Sequence, residues 1–135
     1  MQRKELVYIS HPSKGLPENT ARIEKIIEAL YKNDNFFNNY CIASPVHNFG
    51  FMYHTTEYYR GLTYCTDLLY HCDIMLVFGD WKNSTGCTKE IEFCKENNIP
   101  YIIIDDTTEL TNNIVEGIIK EIKSTIAKRL VTYNP

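Results

Sequence analysis

The stretch from Gly79 to Glu90 reads Gly-Asp-Trp-Lys-Asn-Ser-Thr-Gly-Cys-Thr-Lys-Glu and holds the residue types a small-molecule site needs. Ser84 or Asn83 supplies a helix N-cap, and Gly86 lets a ligand approach the backbone of the first turn. The unpaired N–H groups of such a turn suit a phosphate or a carboxylate. Ordinary capping accounts for the same residues. Glu90 adds chemistry to them. At about 100° per residue, Cys87, Ile91, Cys94 and Asn98 fall on one buried stripe, with Glu90 about 60° from its centre and Glu92 roughly 140° away on the solvent side. A carboxylate beside the core needs a partner. Either a buried salt bridge holds it, or it is a functional carboxylate acting as nucleophile or base.

A second polar group of residues follows an apolar run near the N-terminus. Ser10-His11-Pro12-Ser13-Lys14-Gly15 offers hydroxyls, a cation and a flexible glycine, suited to a phosphate or a sugar hydroxyl. The loop lacks the glycine spacing and GK[ST] ending of a P-loop, and a plain strand-to-helix turn explains it equally. Tyr8 lies where its hydroxyl reaches the same edge, although core packing is the usual place of a strand tyrosine. His47 follows Ser44-Pro45 at another strand end. His11, His47, His54 and His71 show no HxH or HxxxH spacing, so no metal is expected. The aromatics Phe49, Phe51, Tyr53, Tyr58 and Tyr59 suit a stacked base, a lid or an oligomer contact. No basic residues interleave them as in a nucleic-acid groove. No GxSxG elbow is present.

Alternating elements must position these residues. Strands are expected at Leu6 to Ser10, Tyr40 to Ala43, Asp73 to Phe78 and Tyr101 to Asp105, each a short apolar run. Helices are expected from Pro17 to about Lys32, Tyr58 to Cys72, Asn83 to Asn97 and Ile114 to Leu130, with Asn33 to Asn39 as a connector. The segment from His47 to Thr56 fits neither pattern. Continuous apolar strands between helices define an α/β domain of three layers, with a mainly parallel sheet of four to five strands covered on both faces. Ligands bind such sheets beyond the carboxyl ends of the strands. Those ends carry Ser10 to Gly15, Ser44 to His47, Gly79-Asp80-Trp81 and Asp105-Asp106.

Composition sets the outer limits. The 135 residues suit one domain, 44% apolar and 23% charged. A net charge of −3 gives no general attraction to nucleic acid or anionic membrane. No run is long enough to span a bilayer, and no signal-peptide core is present. The five cysteines form no CxxC pair, which argues against disulfides and zinc and for buried thiols in a reducing cytoplasm.

Several segments together resemble the DUF4406 family, which is similar to the nucleoside 2-deoxyribosyltransferase superfamily. They are Val7-Tyr8-Ile9-Ser10-His11-Pro12, Glu18-Asn19, Ser44-Pro45-Val46-His47, Cys72-Asp73 and Gly79-Asp80-Trp81 with Ser84, Gly86-Cys87 and Glu90. The resemblance reaches to about Ile104. It implies a flavodoxin-like or Rossmann-like fold and cleavage of an N-glycosidic bond in a nucleoside or nucleotide, or deoxyribosyl transfer, with no cofactor. It implies that Glu90, four residues after Gly86, is the nucleophile, and that Tyr8 and the residues from Ser10 to Gly15 meet the substrate. It also implies a homo-oligomer, since the superfamily often completes its sites across subunits. One position departs from the pattern. Cys65 stands eight residues before Asp73, where the transferases carry an aspartate, and Asp67 points to the opposite side of its helix. Asp80, at a neighbouring strand end, is the candidate substitute. The alternative reading is a non-catalytic module that binds or sequesters a nucleotide.

Overall fold

The computed structural model describes residues 2–104 and 109–133. Among these residues, four strands, β1 (Glu5–Ser10), β2 (Tyr40–Ala43), β3 (Ile74–Val77) and β4 (Tyr101–Ile103), pair in parallel in the order β2-β1-β3-β4. After β1 the chain moves to one side, and after β2 it crosses back to the other. The direction reverses between β1 and β3, and a crevice opens at such a switch point. Tyr8 pairs with Ala43 and Met75, and Ser10 with Val77, so the carboxyl ends of β1 and β3 lie side by side.

The ends of β3 differ from the apolar run Asp73 to Phe78. The Asp73 carboxylate accepts from the Leu6 N–H at 2.7 Å, and the Phe78 N–H donates to the Ser10 carbonyl at 2.8 Å. β4 also stops two residues before the end of its run. Asp105 and Asp106 lie outside the described residues.

Among the described residues, six helices connect and cover the sheet: α1 (Pro17–Lys32), α2 (Asp34–Asn39), α3 (Pro45–Phe49), α4 (Tyr58–Tyr70), α5 (Thr85–Asn97) and α6 (Asn112–Tyr133). Pro17 opens α1, where a missing N–H costs nothing. The asparagine-rich stretch expected as a connector is the short helix α2. The Asn33 side chain caps it by accepting from the Phe36 N–H at 2.9 Å, and Phe36 is fully buried against Tyr40, ring centroids 5.1 Å apart. Local capping and one buried ring thus outweigh weak helix propensity. The segment without a clear pattern is α3 followed by a 3-10 turn, Gly50–Met52.

Side chains alternate across the strands, so each strand feeds two cores. Val7, Ile9, Ile74 and Leu76 meet Ile23 and Leu30 of α1 and Val115, Ile119 and Ile122 of α6. Tyr8, Met75 and Val77 meet Leu69 of α4 and Ile91 and Cys94 of α5 on the other face. The buried stripe of α5 ends at Cys94. Asn98 takes the left-handed conformation at φ 56° and terminates the helix, so it does not extend that stripe. Among the described residues, no helix is long and apolar enough to cross a membrane. All five cysteines are free thiols, with Cys41 exposed.

Candidate functional site

Glu90 is where the second core turns polar. A 3-10 turn, Trp81–Asn83, leads from the end of β3 into α5, and Ser84 caps that helix by accepting from the Cys87 N–H at 3.2 Å. Glu90 follows one turn later and faces the sheet, only 6% exposed. Tyr8 donates its hydroxyl to Glu90 Oε2, and Ser10 donates to Oε1 at 2.9 Å. No lysine or arginine among the described residues pairs with this carboxylate. Burial raises the Glu90 carboxyl to about 7, and the two hydroxyl bonds hold it from rising further. Tyr8 is itself pushed well above its ordinary value by burial and by the Glu90 charge. The buried salt bridge is therefore not what holds Glu90. Its partners are two neutral donors supplied by consecutive same-face positions of β1.

Glu90 also lines a cleft of about 560 Å³ at the switch point. The β1–α1 loop contributes His11, Ser13 and Lys14 to the cleft, and the start of α5 contributes Ser84, Thr85, Gly86 and Cys87. The segment from α3 to α4 contributes a mainly apolar and aromatic set, Val46, Phe49, Tyr53, Tyr58, Leu62, Tyr64 and Cys65, with the polar Thr56 and Glu57 among them. Gly79, at the end of β3, packs against the first loop. It sits at φ 73°, and a Cβ there would stand 2.9 Å from both His11 Nε2 and Pro12 Cδ. Only glycine permits this approach of the β3 end to the first loop. Among the described residues, no group of three or more His, Cys, Asp or Glu side chains could hold a metal ion.

The sequence-derived candidates divide into three groups. His11, Ser13, Lys14, Ser84, Gly86 and Glu90 line the cleft together. Tyr8 and Ser10 lie beneath it and act on Glu90, while Pro12 is buried and Gly15 packs on Tyr53. Asp80, Trp81 and His47 are not brought to the lining. Asp80 is exposed at the start of the 3-10 turn, and its carboxylate accepts from Asn83 Nδ2 at 2.8 Å. Trp81 is half-buried against the α4–α5 core, with the Lys82 ammonium 5.6 Å from its ring centre. His47 is exposed and bonds Ser44 Oγ at 2.7 Å and Glu24 Oε2 at 3.0 Å, tying α3 to α1.

Two features were outside the candidate set. Cys65 lies in the lining, and burial and the Glu90 charge push its thiol up to about 12. Its apolar spacing with Leu62 and Leu69 on α4 carries that signal, and Asp67 is exposed as the same spacing requires. The aromatic cluster splits in two. Phe49, Tyr53 and Tyr58 line the cleft, whereas Phe51 and Tyr59 are 80% and 61% exposed and lie outside the lining. No periodicity in the irregular segment marks which ring faces which way.

One similar solved structure is described as a 2-desoxiribosyltransferase from Leishmania mexicana, with a TM-score of 0.55 and 15% identity. The likeness covers 75% of this chain and 64% of that one, so the chain spans less than two thirds of its length. At that identity the likeness is one of fold. No curated protein matches the sequence. The chain belongs to the DUF7768 family, a domain of unknown function whose model matches residues 5–104. This corrects the DUF4406 assignment. The segments behind that resemblance are strand ends and helix starts, which mark the fold and its ligand edge more than one family within it.

Proposed function

We propose that this protein cleaves the N-glycosidic bond of a nucleoside or nucleotide, or transfers its deoxyribosyl group, with Glu90 as nucleophile. One observation carries the proposal: a carboxylate with no cationic partner among the described residues, oriented by two hydroxyls, faces an open cleft at the sheet's switch point. Glu90 attacks the anomeric carbon as the bond to the base breaks. The electron pair of that bond leaves with the base, which takes a proton from water in the open cleft. A glycosyl ester on Glu90 remains. Water, or a second base, then attacks the same carbon and returns the carboxylate. Splitting one difficult displacement into two lowers each barrier.

The Cys65 thiol, pushed up to about 12, is a poor proton donor for the departing base. Asp80 is outside the lining and bonded to Asn83, so it does not supply that proton. Loss of an acid at Cys65 favours a second reading, a module that binds a nucleotide and converts nothing. Base release from a panel of deoxynucleosides and deoxynucleotides separates the two. Release by the wild type and its loss in Glu90→Gln supports the enzyme. Tight binding with no product after long incubation supports the module.

A further inference from the structure

Gly15, in the loop beside the cleft, touches Tyr53, whose ring lines it. The β1–α1 loop runs through two successive left-handed residues, Lys14 at φ 52° and Gly15 at φ 67°. That path lays the bare backbone of Gly15 against the Tyr53 ring. A Cβ at residue 15 would stand 2.5 Å from Tyr53 Cδ1 and 2.7 Å from Cε1, distances side chains do not tolerate. Tyr53 follows the 3-10 turn Gly50–Met52, its N–H bonded to the Gly50 carbonyl at 3.1 Å. The ring lines the cleft and remains 43% exposed. Gly50 and Met52 of that turn line the cleft as well, whereas Phe51 lies outside the lining and is 80% exposed.

We infer that Tyr53 is the surface on which the planar base of the substrate stacks, and that Gly15 is the positioning residue that seats its ring. The inference rests on the nucleoside reading above. The division of the cleft supports it. Hydroxyls, Lys14 and the Glu90 carboxylate gather on the β1 and α5 side, where a sugar finds partners. The lining from α3 to α4 is mainly hydrocarbon and aromatic, with Thr56 and Glu57 as its polar members, which matches a flat π-system with polar edges. A purine offers more stacking area than a pyrimidine, so the preference is for purines.

The test is an equilibrium titration with 2-aminopurine 2′-deoxyriboside, whose fluorescence is quenched on stacking. Tyr53→Ala weakens binding about 10-fold and removes much of the quench, as expected for loss of one stacking contact. Tyr53→Phe restores both. Gly15→Ala weakens binding similarly, and the double variant is no weaker than Tyr53→Ala alone, because Gly15 acts through the ring. Thermal melts report the backbone strain of Gly15→Ala separately, and the two Tyr53 variants decide the stacking claim if that variant fails to fold. Wild-type affinity and quench in Tyr53→Ala overturn the platform. Fully additive losses in the double variant overturn the positioning role. A wild type that binds and quenches but releases no base removes the catalytic reading and leaves this one standing. A wild type that binds no deoxynucleoside overturns both.

Discussion

The two faces of one sheet are built on opposite terms. Toward α1 and α6, strands β1 and β3 present Val7, Ile9, Ile74 and Leu76 into a hydrocarbon core. Toward α4 and α5, the alternate positions of β1 present Tyr8 and Ser10, which reach a buried carboxylate beside free thiols. Burial of hydrocarbon stabilises the first face. On the second, burial works against the charge of Glu90, and two hydroxyl bonds only partly offset it. The comparison separates a face selected for stability from one that holds a destabilised group in place.

Opposite responses to substitution are the sharpest consequence. Glu90→Gln is expected to lower base release by roughly 10³-fold or more, measured as kcat/KM. The same change is expected to raise stability near neutral pH. The folded carboxyl titrates at about 7 and the unfolded one near 4.5, so the folded state binds more protons between those values. Wild-type stability therefore falls as pH rises from about 4.5 to about 7 and levels above that, a loss of a few kcal/mol. Denaturant melts across that range should show the slope in the wild type and its absence in Glu90→Gln.

A core change on the hydrocarbon face inverts this pattern. Leu76→Ala should cost about 2–5 kcal/mol of stability, leaving kcat/KM per folded molecule unchanged well below the melting temperature. Tyr8→Phe should have a smaller effect. It removes a bond that favours the charged form, so the pH at which activity rises should move above about 7 and the rate at pH 7 should fall roughly 10-fold. Glu92→Gln, on the exposed side of the same helix, should change stability by no more than about 0.5 kcal/mol and activity not at all.

Much of this contrast was legible in the residues. Prolines and apolar runs marked β2 and α1 to the residue, and helical spacing separated buried Glu90 from exposed Glu92. α2 was not legible, because its stability comes from the Asn33 cap and from Phe36 packed on Tyr40. Asp80 and Trp81 stood at the correct strand end, but the 3-10 turn after β3 takes their side chains out of the cleft lining. The aromatic wall was visible as composition only. The direction of each ring depends on contacts between distant loops, such as Tyr53 on Gly15, that local spacing does not encode.

The claim at the centre of the account is that Glu90 forms a bond to the sugar. Acid-quenched protein incubated with a deoxynucleoside and digested for mass spectrometry tests it directly. The account predicts a deoxyribosyl mass increment on the peptide containing Glu90, absent from Glu90→Gln. Base release that proceeds with no adduct, and at the same rate in Glu90→Gln, would contradict it.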